Sequence, residues 1–129
     1  MAPLNILYVD DEPDIREVAC LSLSLDPELE VRAAESGRDA LALLAAQAWR
    51  PDAVLLDVMM PDLDGPGTLQ ALRELPEHAA TPVIFITARA QPHERSRFIE
   101  LGAVGVITKP FDPMTLARDV RALLQRDAG

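Results

Sequence analysis

Short apolar runs alternate with longer amphipathic stretches along this chain, and the alternation occurs five times. Residues 5–9 ("NILYV") stop at Asp10 and Asp11. Residues 13–25 follow with Ile15, Val18, Ala19 and Leu25 recurring at helical spacing. Residues 29–34 ("LEVRAA") alternate with period two, as a half-buried edge strand does. Ser36 with Asp39 resembles a capping box, and a helix carrying "ALALLAAQ" is expected after it. Arg50-Pro51-Asp52 breaks the chain before a third strand, residues 53–57. A loop with Pro61 and Gly65 leads to a helix near 66–75. Residues 82–87 ("PVIFIT") form a continuous β-branched run, expected as a strand covered on both faces. A polar helix at about 91–101 and a fifth strand at 103–108 come next. Asp112 is then expected to cap a last helix, with Pro113 in its first turn, running to about Gln125.

Strict alternation of strand and helix implies an α/β fold. Its sheet is parallel, its crossovers are right-handed, and helices cover both faces. In such sheets, sites form beyond the carboxyl ends of the strands. Those ends carry Asp10 and Asp11, then Asp57, Thr87 and Lys109; the second strand ends in nothing comparable. Asp57 closes the apolar run Ala53-Val54-Leu55-Leu56, and ionised carboxylates are rare in such places unless paired or metal-bound. Three carboxylates brought together repel one another, and a divalent cation relieves the repulsion. An all-oxygen donor set suits Mg2+. A carboxylate with a free oxygen beside that ion is a nucleophile for a phosphoryl group. Thr87 can donate to a phosphoryl oxygen, and Lys109 can pair with one as a point charge. Each residue also has an ordinary use: Asp10 or Asp11 as a helix cap, Asp57 in a turn, Thr87 in a strand, Lys109 in solvent. The functional reading rests on their convergence at four ends of one sheet.

Composition narrows the picture. The 129 residues are 49% apolar, enough for one domain with a core. No run of about 18 apolar residues exists to span a membrane, and the N-terminus does not read as a secretion signal. The formal net charge of −9 argues against non-specific binding to nucleic acid or anionic membranes. The single cysteine, Cys20, has no internal disulfide partner and is expected as a small buried hydrophobe. Together these features suit a reducing cytoplasm.

The segments "ILYVDDEPDIRE", "DAVLLDVMMPDLDG", "PVIFITARA" and "GAVGVITKPFDP" occur in an order and at separations that resemble the receiver domains of bacterial two-component response regulators. The resemblance covers residues 5 to about 125. It implies a flavodoxin-like (βα)5 doubly wound sheet of strand order 2-1-3-4-5. It implies one receiver domain over 1–129, with no output domain. By the same resemblance, Asp57 would accept a phosphoryl group from a sensor histidine kinase or a histidine phosphotransfer protein. Asp11, Asp57 and the backbone carbonyl of Met59 would hold Mg2+ directly, and Asp10 mainly through water. Thr87 would swing toward the phosphoryl group and Lys109 would bridge it to the acid pair. The Lys109–Pro110 bond would be cis, Ala88 would leave room for the phosphoryl group, and Gly65 would permit the loop to turn. Met59 and Arg89 would flank the attacking water and influence phosphoryl lifetime. The expected protein is a switch rather than an enzyme on other substrates. It acts on an unknown downstream protein, as a monomer or weak homodimer.

One position departs from the family pattern. Three residues before the lysine the family has Tyr or Phe, and here Val106 stands. Activation is therefore expected to move the loop "TARAQPHE" without an aromatic swing. His78 and His93 are expected at the surface, and Met59-Met60 in packing. Asp62 and Asp64 are expected to cap the next helix or face solvent, and Trp49 to cover the end of the second helix. Two other classes of function compete: a receiver-like interaction module that ignores phosphate, and a Mg2+-dependent phosphatase with an aspartyl nucleophile. The phosphatase needs a second acid two residues after the nucleophile, where Met59 stands. The interaction module usually lacks part of the acid and lysine set, which is complete here.

Overall fold

The computed structural model describes residues 3–46 and 48–128, the side chains of 127 and 128 excepted. Five strands alternate with five α-helices: β1 (Leu4–Val9), α1 (Pro13–Leu23), β2 (Leu29–Ala34), α2 (Gly37–Ala45), β3 (Ala53–Asp57), α3 (Gly65–Arg73), β4 (Val83–Thr87), α4 (Pro92–Glu100), β5 (Gly105–Thr108) and α5 (Leu116–Ala128). A 3-10 turn, Pro76–His78, precedes β4. The strands are all parallel, in the order β2-β1-β3-β4-β5, as the family resemblance implies.

Side chains alternate across the sheet and build two cores. Ile6, Tyr8, Leu55, Ile84, Ile86 and Ile107 pack under Ala19 and Leu23 of α1 and Leu116 and Val120 of α5. Leu7, Val9, Val54, Leu56, Phe85 and Val106 pack under α2, α3 and α4, where Phe85 and Phe98 rings meet at 5.0 Å. Both β3 and β4 are buried along their whole length, which explains their uninterrupted apolar sequence.

Several local expectations shift. The buried stripe of α1 is Ala19, Ser22 and Leu23, while Val18 and Leu25 are exposed and Leu25 lies beyond the helix. Ser22 Oγ donates to the Val18 carbonyl at 2.7 Å, so its buried hydroxyl is satisfied within the helix. Cys20 is half-buried rather than buried. The last helix begins at Leu116, not after Asp112. Asp112 instead caps a turn, its Oδ1 accepting the Met114 N–H at 2.8 Å and its carbonyl the Thr115 N–H at 3.1 Å. Ser36 does cap α2, accepting the Asp39 N–H at 3.0 Å. Asp64 caps α3 through the Gly67 N–H at 2.8 Å, and exposed Asp62 pairs with Arg38.

His78, expected at the surface, is 3% exposed; its Nδ1 lies 3.0 Å from Thr81 Oγ1. Met60 packs in the core while Met59 is exposed. Trp49 joins the cluster of Ala40 and Leu44 from α2, with the Arg32 guanidinium 4.9 Å from its ring centroid. Among the described residues no helix is long and apolar enough to cross a membrane.

Candidate functional site

Parallel pairing sets the strand ends side by side. Val9 lies opposite Leu56, Asp57 opposite Ile86, and Thr87 opposite Thr108. The ladder continues one step beyond the strands, with Asp10 N–H on the Ala34 carbonyl, Val58 N–H on Ile86 and Lys109 N–H on Thr87. Asp10, Asp57 and Lys109 are thereby placed by backbone bonds rather than by flexible loops. Asp10 and Asp57 follow Tyr8 and Leu55 by two residues, so both carboxylates emerge on the α1–α5 face. Thr87 follows Phe85 by two and tips toward the other face.

Carboxylate oxygens of Asp10, Asp11 and Asp57 lie within 4.8 Å of one another. Asp10 is fully buried, Asp57 is 4% exposed, and Asp11 is half-buried. The Lys109 ammonium sits between them, 2.9 Å from Asp10 Oδ2 and 3.2 Å from Asp57 Oδ1. It also lies 3.7 Å from Glu12 Oε1 at the exposed rim. The Lys109–Pro110 bond is cis. Arg16 of α1 donates to the Asp10 carbonyl at 2.7 Å.

Burial raises the Asp57 carboxyl, and the Asp10 charge raises it further. The Lys109 ammonium opposes both but does not cancel them, and the group is pushed up to about 6. Burial alone would lower Lys109, but its contacts with Asp10 and Asp57 outweigh this and raise it. Both directions say that the site lacks positive charge. The three clustered carboxylates outnumber the Lys109 ammonium that bridges two of them, and the ligand atoms they offer are all oxygens. That set fits a hard divalent cation.

Thr87 is 2% exposed, and its hydroxyl accepts the Arg89 N–H at 3.0 Å, keeping its own O–H to donate. Ala88 and Arg89 are exposed beside it. Val106 is buried among the core residues. Gly65 acts by close approach: a Cβ there would stand 2.6 Å from the Asp57 carbonyl oxygen and 2.8 Å from Val58 Cα. The residue of the loop with positive φ is Asp62, at 71°. The glycine expected to let the loop turn therefore serves to let α3 start against the end of β3.

Two participants escaped the sequence reading. Glu12 reaches Lys109 from the start of α1, and the Tyr8 hydroxyl donates to Asp10 Oδ2 at 3.0 Å. Tyr8 carried a signal: a buried tyrosine needs a partner for its hydroxyl, and the nearest polar residue on its face is two positions on.

Residues 6–121 match the family model of the response regulator receiver domain. The chain is 42% identical to the response regulator MprA of Mycolicibacterium vanbaalenii, over 96% of this chain and 52% of that protein. It is 38% identical to the response regulator Rre1 of Synechocystis, over 96% of this chain and 53% of that protein. The chain thus spans about half the length of the curated relatives it matches. The chemotaxis response regulator CheY4 of Vibrio cholerae superposes with a TM-score of 0.84 at 33% identity, covering 95% of this chain and 99% of that one.

Proposed function

Since the chain belongs to the response regulator receiver domain family, we propose that it accepts a phosphoryl group on Asp57 in a Mg2+-dependent reaction and passes the event to a partner as a change of surface. The observation that carries this reading is the cluster of Asp10, Asp11 and Asp57 with Lys109 bridging two of the three. Asp11, Asp57 and the Met59 carbonyl would hold the cation, with Asp10 acting through water. Bound there, Mg2+ supplies charge that offsets what develops on the transferring group.

An Asp57 oxygen attacks phosphorus; the phosphorus–oxygen bond forms as the phosphorus–nitrogen bond of the donor phosphohistidine breaks. Lys109 turns from Asp57 to a phosphoryl oxygen while its flexible stem stays anchored. The Thr87 O–H donates to another oxygen, which pulls on residues 88–90. Exposed Ala88 leaves room above Asp57, and Met59 and Arg89 limit how readily water reaches the aspartyl phosphate.

Val106 has no ring to swing, so the readout runs through the loop after β4. Arg95 of α4 supports this route: its Nε donates to the Ala90 carbonyl at 2.9 Å and its Nη2 to Thr108 Oγ1 on β5 at 3.3 Å. The phosphoryl donor is a sensor histidine kinase or histidine phosphotransfer protein, in the cytoplasm, and residues 1–129 act as one receiver unit. The charge of −9 supports a domain that does not itself hold nucleic acid.

The test is incubation with Mg2+ and a small acyl phosphate, read by intact mass. One phosphoryl adduct on the wild type, and none on Asp57→Asn or in EDTA, is expected. No adduct on the folded wild type would leave a phosphate-independent interaction module as the better reading.

A further inference from the structure

Tyr8 lies in the middle of the sheet with no solvent exposure, yet its hydroxyl is spent on the site. A phenylalanine would fill the same core volume between Ile6 and the α1 and α5 helices, so packing does not account for the oxygen. Its acceptor, Asp10 Oδ2, also takes the Lys109 ammonium at 2.9 Å. The other oxygen, Oδ1, takes the Glu12 N–H at 3.0 Å. A carboxylate oxygen offers about two acceptor positions. Oδ2 is therefore filled, and the remaining capacity of Asp10 is one position on Oδ1.

The two donors to Oδ2 differ in kind. Lys109 is a point charge on a flexible chain, free to turn to a new partner. Tyr8 is a rigid ring fixed in the core, and its hydroxyl stays where the sheet puts it. The Glu12 N–H fixes Oδ1 alone, so without Tyr8 the orientation of Oδ2 would depend on the flexible lysine chain.

We propose that Tyr8 is a positioning residue of the phosphoacceptor site, its hydroxyl holding Asp10 so that Oδ1 alone is left to accept from water on the divalent cation. The role rests on the Mg2+-dependent reading above and deepens it. Partners that hydrogen-bond a metal-ligating group typically change metal affinity or activity by ten-fold or more when removed.

The experiment is Mg2+ titration of the unphosphorylated chain by calorimetry, for wild type, Tyr8→Phe, Asp10→Ala and the double variant. Tyr8→Phe is expected to weaken Mg2+ binding by roughly ten-fold. It should raise the Mg2+ concentration needed for half-maximal phosphorylation by a similar factor, and change the rate at saturating Mg2+ less. In the Asp10→Ala background the same hydroxyl deletion should change nothing, because its acceptor is gone. Denaturation in EDTA reports folding separately. Unchanged Mg2+ affinity in Tyr8→Phe overturns the proposal. So does a loss of the same size in the Asp10→Ala background, which would mean that the residue acts through packing. A wild type that binds no Mg2+ overturns the functional reading as well, so the two failures are distinguishable.

Discussion

Without a cation, Asp57 should weaken the fold it sits in, and the size of that effect follows from the site. In an unfolded chain an aspartate titrates near about 3.9. In the folded protein burial, followed by the Asp10 charge, pushes it up to about 6. Between about pH 4 and 6 the folded state therefore holds more protons than the unfolded one, and the contribution of this group to stability falls as pH rises through that window. Two pH units at about 1.4 kcal/mol each give an upper figure of roughly 3 kcal/mol, and sharing among Asp10, Asp57 and Lys109 brings it nearer 2 kcal/mol. Asp57→Asn keeps the shape and removes the titration. In EDTA the variant should match the wild type below about pH 4 and exceed it by about 2 kcal/mol above pH 6.5. Urea denaturation followed by circular dichroism, at several pH values with a common slope, measures the gap. Added Mg2+ should close part of it by stabilising the wild type. A gap that does not depend on pH, or a variant less stable at pH 7, would refute the reasoning.

Three further outcomes are expected. Gly65→Ala places a Cβ against the Asp57 carbonyl and Val58 Cα; it should cost about 1–3 kcal/mol in chemical denaturation and slow phosphoryl acceptance through displaced backbone. His78 is buried, and burial, then the Arg50 charge, hold its imidazole below the usual range. The contribution of His78 to stability should accordingly fall as pH drops below about 6.5, and the difference between wild type and His78→Gln should shift in the same direction. Arg95→Ala removes exposed bonds and should change stability by less than about 1 kcal/mol. It should nevertheless uncouple the phosphorylation-dependent chemical shifts of β5 from those of residues 88–90, read by nuclear magnetic resonance.

Much of the site was legible before any coordinates, because parallel α/β topology turns the ends of apolar runs into neighbours. Asp10, Asp57 and Lys109 needed only the order of elements and the rule that strand ends converge. The existence of all ten elements was legible for a similar reason: β3 and β4 are unbroken apolar runs, and Ser36 and Asp64 sit where helix caps must sit. What the chain alone left undecided depends on which side of a helix meets the sheet. Val18, Ala19 and Ser22 are close in sequence, yet Ala19 and Ser22 are buried with Leu23 while Val18 is exposed. His78 looks like a surface residue until the 3-10 turn that carries it, between α3 and β4, packs it inward. The true start of α5 depends on where Leu116 and Val120 reach the core, not on the nearest cap signal at Asp112. Local periodicity determines what each segment becomes, whereas the direction of a side chain, the depth of a carboxylate and the partner of the Tyr8 hydroxyl are set by packing between segments distant in sequence.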